Sequence, residues 1–157
     1  MDLDLAKKVA MDTLVEAQML LRKNTFLEPI FLALTDEDVN QDFPEDDYSG
    51  EARSEAVSEG YAELMKKHRD TTEAMVLIFQ SVAMEAGRKP LDLTKVTDKY
   101  HECIVCVVHT KETTAVMQSI YAQEGGNYVF INCEWDVVEK TSDVIFTNPY
   151  LGSSGNS

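Results

Sequence analysis

With 157 residues, 44% of them hydrophobic, the chain is long enough to bury one ordinary globular core. Its net charge of −14 opposes direct binding to DNA, RNA or an anionic membrane, because phosphate contacts need lysine and arginine. No apolar run reaches the roughly 20 residues that cross a bilayer, the first residues lack a basic stretch followed by an apolar one, and three cysteines make a poor disulfide framework, so a cytoplasmic protein is expected.

The charge is unevenly placed. Residues 35–50 carry seven acids and no base, half of the net charge, whereas residues 1–34 carry five acids and four bases. A concentrated negative field steers a basic partner; a dispersed one mostly gives solubility.

Residues 3–23 read as an amphipathic helix, with Ala10, Leu14, Ala17 and Leu21 on one stripe and Arg22 and Lys23 suited to its C-terminus. Residues 30–34 follow Pro29 as a short buried strand. Residues 35–49 read as a solvated loop holding Asp36, Glu37, Asp38, Asp42, Glu45, Asp46 and Asp47. A second helix is expected near 50–68, capped by Ser49, with Val57, Tyr61 and Leu64 on its apolar face. Residues 74–84 are almost continuously apolar, the pattern of a strand buried on both faces, with a helix as the alternative. A long polar loop then leads to a β-branched strand at 103–110.

Residues 114–123 and 128–136 form a hairpin around Gly125-Gly126, since two-residue hairpin turns need positive φ. That turn pairs Val116 with Trp135, Gln118 with Cys133, Ile120 with Ile131 and Ala122 with Val129 on one face. Met117 pairs with Glu134, Ser119 with Asn132, Tyr121 with Phe130 and Gln123 with Tyr128 on the other. Residues 143–147 add a last strand and 151–157 a frayed tail. The expectation is one α+β domain over residues 1–150, in the order α-β-α-β-β-β-β: a mainly antiparallel sheet of about five strands with two helices packed on one face.

No catalytic, metal or cofactor site is expected. Cys103 and Cys106 are spaced as in redox and zinc sites, but inside a strand that spacing sends the two sulfurs to opposite faces, so both read as buried structural cysteines. His101, Cys103 and His109 share a strand face that Cys133 can approach, yet the two histidines stand about 26 Å apart along a strand, and an isolated strand-end histidine usually lies at the surface. Asp36, Asp38, Asn40 and Asp42 alternate as in a calcium loop, but Gln41 and Asp47 occupy the positions that need glycine and glutamate. There is no nucleophile elbow, and Glu102, Glu112 and Glu134 are carboxylates without a defined pocket.

The residues singled out for partner binding are the seven acids of the loop and the hairpin face of Met117, Tyr121, Tyr128 and Phe130. If the helices cover only the opposite face, these four form an exposed aromatic patch and homodimerisation through it is the simplest outcome. If not, they are core.

The apolar run from Ala74 to Val82, the acid-led strand Glu102-Cys103-Ile104-Val105, the hairpin end Glu134-Trp135 and the upstream Pro29-Ile30-Phe31-Leu32 carry a resemblance. From about 73 to 150 the chain resembles a loose group of small bacterial and bacteriophage proteins of unknown function. That resemblance implies a phage or prophage accessory context and supplies no activity or site. Two functional readings follow. The first is a non-enzymatic acidic protein that binds a basic protein partner, such as a nucleic-acid-binding enzyme that it inhibits. The second is a small enzyme or ligand-binding domain with a pocket between helices and sheet, lined by His101, Cys103 or the carboxylates.

Overall fold

The computed structural model describes residues 1–24, 27–42, 53–82, 102–138 and 144–152. Helix α1 spans Leu3–Asn24 and starts where the Asp2 carboxylate accepts a hydrogen bond from the Asp4 amide at 3.2 Å. It ends on Arg22 and Lys23, which complement the negative end of its dipole. Strands β1 (Ile30–Leu34) and β2 (Val39–Asp42) form a hairpin, helix α2 (Arg53–His68) follows, and β3 (Ala74–Val82), β4 (Glu102–Thr110), β5 (Thr114–Glu124), β6 (Asn127–Asn132) and β7 (Asp136–Val138) complete the sheet. A 3-10 turn (Val144–Phe146) and the short helix α3 (Pro149–Gly152) close the described chain.

Every strand pairing is antiparallel, in the order β2-β1-β3-β4-β5-β6, with β7 on β5 in line with β6. The fold is therefore α+β with a seven-stranded sheet, larger than the expected five strands. The additions are β2, which falls in the stretch read as a solvated loop, and β7, a short continuation of the last hairpin. The expected final strand at 143–147 is instead the 3-10 turn, and the expected tail begins with α3.

The two long helices lie on opposite faces of the sheet, not on one. Ala6, Ala10, Leu14, Ala17 and Leu21 of α1 pack against Leu32, Leu34, Val76, Ile78, Ile104, Cys106 and Val108. Val57, Tyr61, Leu64 and Met65 of α2 share the other layer with Phe31, Ala33, Met75, Leu77, Val105, Val107, Ile145 and Phe146. The cause is in the strands: β1, and β3 from Ala74 to Phe79, are buried at every position, so both of their faces need a cover. Alanine at three of the five buried α1 positions lets that helix lie close to the sheet. The Tyr61 hydroxyl lies 2.9 Å from both the Ile30 and Ile78 carbonyl oxygens and pins α2 over a directly paired position of β1 and β3.

The last hairpin has the expected turn and register as far as Asn132. Gly125 and Gly126 have φ of 59° and 86°, and Ser119 faces Asn132, Tyr121 faces Phe130 and Gln123 faces Tyr128. Cys133 still bonds to Gln118, its amide donating to the carbonyl at 2.8 Å. Beyond it the register slips by one residue: Val116 faces Asp136, not Trp135. A slip of one exchanges the two sides of a strand, so Trp135 packs on the α1 side and Val138 on the α2 side.

Candidate partner-binding surface

Of the acid-rich segment, the described residues run as far as Asp42. In the tight turn after β1, the Thr35 amide donates to the Asp38 carbonyl at 2.9 Å, and the Thr35 hydroxyl accepts from the Glu37 and Asp38 amides at 3.3 and 3.0 Å. Asp36, Glu37 and Asp38 are thereby displayed to solvent at the hairpin tip. At the other end of β2, Asp42 is engaged from within, its carboxylate 3.0 Å from Lys67 Nζ and 2.7 Å from His68 Nε2 at the end of α2. The residues expected to be a loose loop thus include a strand tied to β1 on one side and to α2 at its end. Glu45, Asp46, Asp47 and the Ser49 cap lie outside the described residues.

Beside this hairpin runs a groove of about 440 Å³ lined by Thr13, Glu16, Leu20, Asn24, Glu28, Pro29, Ile30 and Gln41. It exists because α1 sits over β3 and β4 and leaves the α1 side of β2 open beyond the buried β1. Thr13, Glu16, Leu20 and Asn24 are spaced three, four and four residues apart, a continuous flank beside the helix's buried stripe. Its carboxylates are those of Glu16 and Glu28, and among the described residues no lysine or arginine lines it. Val39, on the same side of the sheet and 53% exposed, extends its apolar rim.

The opposite flank of α1 covers the aromatic face. Met117 is 2% and Tyr121 3% exposed, both within the α1 core, while Tyr128 and Phe130 are half-buried against it. Arg22 stands over the Phe130 ring at 4.8 Å, Lys7 over the Trp135 ring at 5.5 Å, and the Gln18 side chain donates to Ser119 Oγ at 2.9 Å. The condition for an exposed aromatic patch is therefore not met: Met117 and Tyr121 offer a partner no open surface. Gln80 reinforces the closure, donating to the Tyr121 hydroxyl at 2.8 Å and accepting from the Leu27 amide at 2.7 Å. Burial pushes the Tyr121 phenol up to about 12.

The cysteines are separated as the alternation requires, Cys103 in the α2 layer and Cys106 in the α1 layer. Burial pushes the Cys103 thiol up to about 12 and raises Cys106 and Cys133 as well. Cys103 and Cys133 flank β5 on either side, two strand spacings or roughly 9.5 Å apart, beyond disulfide reach. Among the described residues no three His, Cys, Asp or Glu side chains converge as metal ligands. His101 lies outside the described residues.

His109 departs from the expected surface position. It is fully buried, with Nδ1 2.8 Å from Thr114 Oγ1 and Nε2 2.9 Å from the Ile145 carbonyl oxygen. The carbonyl can only accept, so Nε2 carries the proton and Nδ1 accepts from the threonine. Burial holds the imidazole down to about 4, against the weaker opposing effect of the Ile145 hydrogen bond. Its role is to tie the 3-10 turn to β4. Asn148 does the same nearby, donating to the Thr110 and Thr113 carbonyls at 2.7 and 3.0 Å.

The groove went unread in the sequence, although its signal was present: a polar flank at helical spacing on α1, next to a proline-led strand. Among the described residues no helix is long and apolar enough to cross a membrane. Comparison of the chain with protein-family models, with curated proteins and with solved structures gives no match.

Proposed function

We propose that this is a non-enzymatic binding protein that holds a basic protein partner on the acidic hairpin of residues 30–42 and the groove beside it. The observation that carries the reading is the placement of acids about one hairpin: Asp36, Glu37 and Asp38 exposed on a fixed turn, and Glu16 and Glu28 in a groove whose described lining includes no base. A net charge of −14 adds long-range steering of a cationic partner. The partner class proposed is a nucleic-acid-binding enzyme, whose phosphate-reading lysines and arginines these carboxylates would engage in place of phosphates.

The test compares the wild-type chain with a neutralised one carrying Asp36→Asn, Glu37→Gln, Asp38→Asn, Glu16→Gln and Glu28→Gln, each immobilised and exposed to a host lysate. The Debye length falls from about 10 Å at 0.1 M salt to about 3 Å at 1 M. A partner held by this surface is retained by wild type at low salt, released at high salt and absent from the neutralised chain. Equal retention on both chains, indifferent to salt, would refute the proposal.

The second reading, a small enzyme or ligand-binding pocket between helix and sheet, draws on the same groove. Its lining offers two carboxylates, amides and a hydroxyl but no nucleophile paired with a base, which favours binding over turnover.

A further inference from the structure

Among the described residues no strand lies beyond β2, which pairs with β1 alone. The direction of its backbone groups follows from the turn. The Thr35 amide bonds to the Asp38 carbonyl, so the next pair, Leu34 with Val39, turns its groups away from the ladder. The Leu34 carbonyl confirms this by accepting the Glu73 amide from the opposite side at 2.7 Å. By the same alternation the N–H and C=O groups of Val39 and Gln41 point away from β1, along an edge that no described strand pairs.

Edge strands are commonly protected by lysine or proline, and β2 has neither. Lys67 and His68 are taken up by Asp42, and the remaining groups placed about β2 are acidic, with Asp36, Glu37 and Asp38 at one end and Glu16 and Glu28 in the groove at the other. Two copies joined edge to edge would bring these acids together, so the charge selects against a second copy and for a cationic strand. Asp42 holds β2 to Lys67 and His68, so the edge is set before a partner arrives.

We propose that the free edge of β2 takes up an extended segment of another protein, bearing lysine or arginine at alternate positions, as one further antiparallel or parallel strand. Its main chain bonds to Val39 and Gln41, and its cationic side chains on the α1 side of the sheet reach Glu16 and Glu28. This rests on the basic-partner reading above and specifies how that partner is held.

The test titrates the intact, isotope-labelled chain with a synthetic alternating lysine-valine heptapeptide at low salt. Two controls accompany it: the same peptide N-methylated at alternate backbone amides, and a glutamate-valine analogue. The expected result is binding with the largest amide shifts and new exchange protection at Val39 and Gln41, an affinity loss of at least about tenfold on N-methylation, and none with the glutamate peptide. Gln41→Pro, which removes an outward N–H from an edge strand that tolerates proline, produces a loss of similar size. Equal binding of the N-methylated peptide overturns strand addition while leaving the basic-partner reading standing. Shifts confined to β6, binding of the glutamate peptide, or peptide-independent dimers joined through β2 each overturn the proposal as well. Absence of binding by any lysine peptide overturns both.

Discussion

Substituting His109 by glutamine isolates a buried titration. The imidazole is neutral in the folded chain and is held at about 4, against an ordinary value of 6.5. A folded value below the unfolded one means that the unfolded chain takes up the proton first as pH falls. The stability tied to neutral His109 is thus fully present above about 6.5, declines between 6.5 and 4, and reaches its lower limit below 4. At about 1.4 kcal/mol per pH unit of displacement the full loss is about 3 kcal/mol, of which about 2 kcal/mol has gone by pH 5. Glutamine can donate to the Ile145 carbonyl and does not titrate. The difference in urea-unfolding free energy between wild type and His109→Gln, measured at pH 7.5, 6 and 5, therefore shrinks by about 2 kcal/mol over that range. Titration of the carboxylates and of the other histidines occurs in both chains and cancels in the difference. A difference that stays constant to within about 0.5 kcal/mol would refute the buried neutral imidazole, as would nitrogen chemical shifts showing protonation near pH 6.5.

Tyr61→Phe keeps the buried ring and leaves the Ile30 and Ile78 carbonyls without its hydroxyl, so it costs about 1 kcal/mol in urea unfolding with an unchanged slope; a neutral outcome would mean that the hydroxyl does not fasten α2 to the sheet. Under native conditions at pH 7.5 a chromogenic disulfide reagent modifies half-buried Cys133 first. Cys103, its thiol raised from 9.0 to about 12, holds about a thousandfold less thiolate than an ordinary cysteine and, like Cys106, reacts only on unfolding; rapid native labelling of either would contradict the two-layer core.

Much of the fold was legible because its signals are local. The α1 stripe, the apolar strands and the Gly125-Gly126 turn each announce themselves within about ten residues, and the turn carries the register correctly for six pairs. The placement of both helices on one face contradicted a reading made from the same residues. A run such as 74–79, apolar at every position, requires cover on two sides, and two helices meet that need only from opposite faces. The slip at 133–135 had no comparable signal, since hydrophobic alternation continues through it. Its rationale is tertiary: it brings Trp135 to the α1 side near Lys7 and lets Val138 reach the α2 layer. Strand β2 was hidden for a different reason. Val-Asn-Gln-Asp has little strand propensity, and it is extended because β1 offers it a ladder and Lys67 and His68 hold its end.

The candidate surface was half legible, and charge explains which half. Counting acids along the chain located Asp36, Glu37 and Asp38 correctly as exposed residues, but the same count made the first helix look nearly neutral and hence uninformative. Folding sorts that neutrality by side. Lys7 and Arg22 lie over Trp135 and Phe130 on the flank facing β5–β7, where their charge is stacked on rings. Glu16 lies on the other flank and lines the groove with Glu28, where no base stands among the described residues. A helix neutral in sum thus places Glu16 where it borders β2, while two of its four bases are stacked on rings at the opposite flank. The net charge of a segment bears on partner binding only after packing has decided which of its charges are used internally.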